Sequence, residues 1–355
     1  MQKLLIVSFE QFGYHTDNFN YAFYLREKFK ICLMCFDEGL PRINLENVKV
    51  IYIPNIKNKL IRRVVFNSLL LCKIIAFNPE VIFLRYFRSC SIFRKIFKNK
   101  RMIVDIRTAC VDKNENTRNE YNKTMSMECN KFDYISVISE GLIDKLRLKR
   151  EKTFVLPLGG KKLASNFEEV GKSLSLIYVG VFDERKIDTT IRAFNKFSEI
   201  YGQEHTYTII GFANDLQVEG DILKEIKRNK FNNVKYLGRI PNEELGKYFS
   251  QNNVGISYIP MTDFFEHQPP TKTYEYLMNG LFTLATGTYE NKKIINKSNG
   301  IIIEDNEDSV YRALEESLKM LPIINRDEII KSIEKYSWEN ICNNFEKKIV
   351  DIINS

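Results

Sequence analysis

The sequence predicts an α/β chain of two consecutive, doubly wound parallel-sheet domains, and three observations carry that prediction. Short apolar, β-rich runs alternate with amphipathic stretches along almost the whole chain, the pattern of parallel strands joined by crossover helices. The 355 residues exceed the size at which one core keeps growing. At residues 154 to 160, FVLPLGG places a proline and two glycines behind an apolar strand, as a domain boundary does.

The first strand is KLLIVSF, residues 3 to 9, followed by the loop EQFGYHTDN and a helix in NYAFYLREKF. Asp17 or Asn18 is the expected N-cap, with Ala22, Leu25 and Phe29 on one face. Gly13 allows a tight turn where ligands of open α/β sheets sit. The dinucleotide fingerprint GxGxxG is absent, which weighs against an NAD enzyme. Further strands are expected at ICLMCF, VKVIYI, EVIFLRY, RMIVDIR and YISVIS, with helices near residues 61 to 77, 89 to 98, 118 to 130 and 140 to 148. A second cycle runs from LSLIYVGVF at 174 to 182 through HTYTIIGF, NVKYLGRI and NVGISYIP.

It leads into QPPTKTYEYLMNGLFTLAT, residues 268 to 286. Pro269 and Pro270 forbid helix before Thr271, and Gly280 ends the helix that follows. Tyr274, Leu277 and Met278 share one face, and Lys272 and Glu275 stand three apart near the N-terminus. Two readings stay open: a solvated surface pair, or a ligand site at free helix N–H groups. The chain ends in helices, the last with a stripe of Trp338, Ile341, Phe345, Ile349 and Ile352.

Apolar residues make up 44% and charged residues 28%, so a real core is expected and disorder is not. Residues 57 to 101 hold twelve Lys and Arg against Glu80 alone, a net +11, so the rest of the chain, whose total is +8, carries −3. An anionic partner is expected there. LIRRVVFNSLLLCKIIAF, residues 60 to 77, with the basic RKIFKNKR at 94 to 101, suits a helix resting on anionic lipid. The other reading packs that helix into the first domain, with its cations in water. Nucleic acid is the poorer partner, since no reading motif accompanies the charges. Seven cysteines at irregular positions point to free thiols in a reducing cytoplasm, and the lone Cys32/Cys35 CxxC to strand packing. The start MQKLLIVSFE is too short for a signal peptide core, and no apolar run is long enough to span a membrane.

The motifs YVGVFDERKIDTTIRAF, TIIGF, VKYLGRIPNEELGKYF, PPTKTYEYLMNG, NGIIIEDNEDSVYRAL and YSWENI follow one another over residues 174 to 342. In that order the chain resembles the group 1, or family 4, retaining glycosyltransferases of the GT-B fold. The resemblance implies two Rossmann-like domains facing across a cleft: an acceptor-binding domain of residues 1–160, to which the helix 337–355 crosses back, and a nucleotide-sugar-binding domain of residues 161–336. It implies no metal and no cofactor beyond the nucleotide-sugar substrate, and a glycan or lipid-linked acceptor.

Residue by residue, Glu275 matches the second glutamate of the family's Glu, seven residues, Glu motif, implying a ligand for ribose hydroxyls. The first glutamate's position is occupied by His267, with Glu266 beside it. Either a slip of one residue brings Glu266 into place, or the motif is the shorter Pro, Lys, Glu-Tyr-Leu. Lys186 matches the pyrophosphate lysine of the Gly-Arg, four residues, Lys segment that Gly180 opens. Val181 stands where that segment has arginine, leaving Arg185 or Lys272 as the available replacement. The implied catalytic set is Lys186, Arg185, Glu266 and His267, and the donor set is Glu275, Lys272, Gly180, Thr271 and Gly13. His15, Asp17 and Arg107 follow strand ends and are the acceptor candidates. An epimerase or phosphorylase of the same architecture, or a degenerate transferase domain serving as a scaffold, are the alternatives.

Overall fold

Leu4 to Val7 and Ile31 to Cys35 are buried at every position, as strands covered on both faces must be. In the computed structural model, which describes residues 1–164 and 171–355, such strands build two parallel sheets in two compact units, Met1–Pro157 with Trp338–Ser355, and Leu158–Ser337.

The first unit comprises β1 (Gln2–Val7), α1 (Thr16–Leu25), β2 (Phe29–Asp37), β3 (Val48–Pro54), α2 (Lys59–Phe77), β4 (Val81–Arg85), α3 (Ser91–Ile96), β5 (Arg101–Ile106), α4 (Glu115–Cys129), β6 (Tyr134–Val137), α5 (Glu140–Lys145) and β7 (Thr153–Val155). Its strand order is β3-β2-β1-β4-β5-β6-β7, so the connections reverse direction between β1 and β4. Two expectations are corrected. His15, not Asp17 or Asn18, holds the N-cap position of α1. Phe29 leaves the helix and opens β2, where it pairs with Gln2; the sheet ladder outweighs the helical spacing. Cys32 and Cys35, three apart on an extended strand, point to opposite faces, and burial pushes the Cys35 thiol up to about 11. Helix α2 buries Phe66, Leu70 and Ile74, while Leu60, Ile61, Val64 and Ile75 are each more than half exposed. No helix among the described residues is long and apolar enough to cross a membrane.

The second unit comprises β8 (Ser175–Val181), α6 (Ile187–Tyr201), β9 (Thr206–Phe212), α7 (Leu216–Lys227), β10 (Val234–Tyr236), α8 (Leu245–Gln251), β11 (Val254–Ser257), α9 (Thr271–Met278), β12 (Phe282–Thr286), α10 (Tyr289–Ile294), β13 (Gly300–Ile303), α11 (Glu307–Met320) and α12 (Arg326–Ile333). Its strand order is β10-β9-β8-β11-β12-β13, with the reversal between β8 and β11. The last helix, α13 (Trp338–Asn354), belongs to the first unit. Its predicted stripe is wholly buried, with Trp338 and Phe345 at 5.8 and 5.4 Å from the Tyr21 ring of α1 and Phe345 at 4.9 Å from Phe83 of β4. Aromatic pairs at these edge and tilted geometries add to the area they bury.

Candidate functional site

In an open α/β sheet, ligands sit beyond the carboxyl ends of the strands where the strand order reverses. In the second unit that point lies between β8 and β11, which pair only over Leu176, Ile177, Val254 and Gly255. Farther along β8, the Val179 N–H instead donates to the Tyr276 hydroxyl of α9 at 2.8 Å. The helix is thereby fastened to the strand it must face. Beneath it, the Ser257 and Thr273 hydroxyls meet at 2.7 Å, and Thr273 donates to Asn291 at 2.9 Å. Asn279 Oδ1 accepts from the amides of Leu163 and Ala164, and its Nδ2 donates to the carbonyls of Lys161 and Glu275. These buried bonds hold α9 rigidly, because breaking any one leaves a desolvated polar group behind.

Onto this frame α9 carries Lys272 and Glu275. Lys272 Nζ lies 3.9 Å from the centre of the Tyr178 ring, and a Cβ at Gly180 would come within 3.2 Å of it. Gly180, at φ +144°, therefore both permits the strand end to turn and leaves room for the ammonium. Neither Lys272 nor Glu275 forms an ion pair among the described residues, so the surface-pair reading is not what the structure shows. Both keep some solvent contact, yet protein surrounds them densely. Burial, reinforced by Arg185, pushes the Lys272 ammonium well below its ordinary range, with Glu275 pulling it back. Burial raises the Glu275 carboxyl to about 7 against the opposing pull of Lys272. Two neighbouring cations that repel each other make a place an anion would relieve.

Arg185 stacks over the Phe265 ring at 4.4 Å. Lys186, in the left-handed conformation at φ 49°, occupies the N-cap of α6. Its Nζ lies 2.9 Å from Asp305, which also accepts from the Tyr258 hydroxyl at 2.6 Å and the Met261 amide at 3.2 Å. Burial disfavours the Asp305 charge, but the Tyr258 and Lys186 hydrogen bonds hold the carboxyl below its ordinary range. Asp305 and Tyr258 are absent from the sequence-based site. The only local signal for Asp305 is an acidic residue just past the end of β13.

Thr271 is the exposed first residue of α9, and Val181 is exposed at the end of β8. Glu266 Oε1 accepts from the Tyr289 amide at 2.9 Å, and the His267 ring meets Tyr289 at 4.9 Å. Both residues thus attach the loop before α9 to the start of α10. Gly13 lies in the first unit, at φ +94°, where a Cβ would collide with Ile43.

The acceptor candidates gather at the reversal point of the first unit. Asp17 and Arg107 form a buried ion pair at 2.7 Å, and Arg107 also donates to the Leu156 carbonyl at 2.7 Å. Burial opposes the Arg107 charge, but Asp17 lifts the guanidinium above its ordinary range. Arg85, at the end of β4, pairs with Glu10 at 2.6 Å and lies 3.3 Å from His15 Nε2. Since Arg can only donate, Nε2 accepts and the imidazole proton sits on Nδ1, a buried atom with no hydrogen-bond partner among the described residues. Burial lowers the His15 imidazole; Asp17 opposes this and Arg85 adds to it, so the ring is neutral at physiological pH.

No protein-family model matches the chain, and no curated protein matches it in sequence. Solved structures do match in fold. Sucrose-phosphate synthase from Thermosynechococcus elongatus superposes with a TM-score of 0.79 at 14% identity, over 100% of both chains. A trehalose-6-phosphate protein from E. coli bound with UDP-2-fluoro glucose gives 0.77 at 14%, over 100% of this chain and 99% of that one. HepE from Anabaena in complex with UDP and glucose gives 0.76 at 11%, over 99% and 100%. With two parallel, doubly wound Rossmann-like sheets and matches of this extent, the chain has the GT-B glycosyltransferase fold.

Proposed function

We propose that this chain is a glycosyltransferase that moves a sugar from a nucleotide-sugar donor to a glycan or lipid-linked acceptor with retention of configuration. The observation that carries the reading is the placement of Lys272, Arg185 and Glu275 where the second sheet reverses its strand order. A diphosphate relieves the repulsion between the two cations, and an ionised Glu275 accepts both hydrogens of a ribose diol. Similar proteins bound with UDP-2-fluoro glucose, or with UDP and glucose, support a nucleotide-sugar as the donor.

In the transfer, the bond from the anomeric carbon to the diphosphate oxygen breaks, and the acceptor hydroxyl oxygen bonds to that carbon on the same face. The hydroxyl proton passes to the departing diphosphate. Lys186, Arg185 and Lys272 stabilise the charge on the leaving group, and such fixed electrostatic stabilisation is the largest contribution in many enzymes. His15, Asp17 and Arg107 line the acceptor side, where the neutral imidazole holds a hydroxyl. A thermal-shift series across UDP-, GDP- and ADP-sugars tests the donor reading, because a ligand of the folded state raises its melting temperature. One nucleotide is expected to do so by several degrees. No shift with any of them would remove the donor site. A purely scaffolding role, which the exposed Val181 would suit, is distinguished by the absence of both donor hydrolysis and transfer.

The place of action we infer is the cytoplasmic face of a membrane, in the synthesis of a bacterial surface polysaccharide. Support comes from α2 and α3, which expose Leu60, Ile61, Val64, Ile75, Ile92 and Ile96 among the cations of residues 57–101. Each basic residue close to an anionic surface contributes about 1 kcal/mol. Sedimentation with anionic liposomes should therefore carry the protein down at low salt and release it at high salt. Equal binding to neutral vesicles, or none at all, rules the surface out.

A further inference from the structure

The first turn of α2 contains no acidic residue. Lys59, Arg62 and Arg63 stand in its opening turns, and none of them forms an ion pair among the described residues. Cations at a helix N-terminus are repelled by the partial positive charge there, so this arrangement is relieved by an external anion. Arg62 donates to Asn55 at 2.9 Å, and Arg63 donates to the Arg88 carbonyl at 3.3 Å and to the Ser89 hydroxyl. None of these three bonds neutralises a charge.

These cations rim a cavity of about 240 Å³ whose floor is aromatic. Phe9, Phe36, Phe66 and Phe87 come from β2, α2 and the segments after β1 and β4, with neighbouring ring centres 5.2 to 6.0 Å apart. Arg62 lies 5.5 Å above the Phe36 ring. A second cavity of about 290 Å³ shares Phe9, Phe36 and Arg62 and extends to Glu10. Glu10 pairs with Arg85, which touches His15, so the aromatic pocket opens toward the charged cluster at the strand ends. A free sugar is a poor fit for the aromatic floor, since its hydroxyls need donors and acceptors and, apart from the cations Lys59, Arg62, Arg63 and Arg88, the lining offers only the polar side chain of Asn67. A hydrocarbon chain requires none. The opposite face of α2 exposes Leu60, Val64 and Ile75.

We propose that this pocket binds a phosphate-bearing amphiphile, its hydrocarbon chain on the four phenylalanine rings and its phosphate on Lys59, Arg62 and Arg63. The proposal deepens the lipid-linked acceptor of the glycosyltransferase reading, on which it rests. The phosphate end is anchored at the rim, and the group attached beyond it extends past Glu10 toward His15.

Calorimetric titration of the full chain with decyl phosphate below its micelle concentration, with decanol and with inorganic phosphate tests this. Decyl phosphate is expected to bind at least tenfold more tightly than either of the others. The doubly substituted Arg62→Gln, Arg63→Gln protein should lose at least tenfold of that affinity while keeping its melting temperature and its affinity for UDP. If inorganic phosphate binds as well as decyl phosphate, the site takes phosphate alone and the proposal fails; if decanol does, it is only an apolar pocket and fails equally. An unchanged affinity in the double variant also overturns it. Absence of decyl phosphate binding by the unsubstituted protein, with its UDP binding intact, condemns the pocket, whereas decyl phosphate binding without affinity for any nucleotide condemns the donor reading.

Discussion

Lys186→Ala is expected to reduce turnover at least a hundredfold, on the order of the loss seen when one preorganised charge-stabilising donor is removed. The side chain is about half exposed, and its partner Asp305 keeps the Tyr258 hydroxyl and the Met261 amide as donors. The fold should therefore tolerate the change, and the melting temperature should move little. In the ligand-free protein, Asp305 already supplies Lys186 with an anion. On the proposed donor reading, a diphosphate bound by Lys186 must draw the ammonium from that carboxylate or bridge the two, which would make Asp305 a positioning residue for the lysine. Asp305→Asn should accordingly raise KM for the donor more than it lowers kcat. Steady-state kinetics of both variants decide the matter, and an undiminished kcat for Lys186→Ala would exclude it from the chemistry.

Glu275→Gln should weaken nucleotide binding roughly tenfold to a hundredfold, the equivalent of one or two hydrogen bonds to a charged acceptor. It should also flatten the pH dependence of binding. With the carboxyl at about 7, donor affinity in the parent protein should increase as pH rises from 6 to 8 and the acceptor of the diol hydrogen bonds becomes ionised. Stability should run the other way. The native state keeps the Glu275 proton to about pH 7, whereas the unfolded chain releases it near 4.5, so the native state binds more protons between those values. The stability contribution present below about 4.5 is lost as pH rises through 7. The upper bound is about 3 kcal/mol, from the linkage between a pKa shift and free energy. The glutamine variant lacks this penalty and should melt higher than the parent at pH 8 while binding nucleotide less well. Denaturation and nucleotide titration at pH 6 and 8 test both halves; a variant that is less stable at pH 8 and binds as well as the parent refutes the assignment.

Much of the architecture was legible because hydrophobic period and breakers are local properties. The proline pair before Thr271 and the glycine after Asn279 bound α9, and the stripe from Trp338 to Ile352 predicted the buried face of α13. Errors arose where a long-range ladder competed with a local period, as at Phe29, or where a cap could be drawn from several polar neighbours, as at His15. The cysteine pair in β2 was legible as packing, since a strand sends residues three apart to opposite faces.

For the site, the chain alone determined which residues stand at strand ends and helix starts: Gly180, Arg185, Lys186, Lys272 and Glu275 in one unit, and His15, Asp17 and Arg107 in the other. Only the tertiary structure decided what each of them meets. Lys186 finds Asp305 across 119 residues, Val179 finds the Tyr276 hydroxyl across 97, and Arg85 finds Glu10 across 75. The spacing of Lys272 and Glu275 was equally compatible with a solvated pair; it is the dense packing around both residues, with Tyr178 and Gly180 against Lys272, that limits their contact with water and shifts their proton affinities. Periodicity encodes which face a side chain occupies, whereas charge and pKa depend on desolvation and on partners that sheet topology brings together.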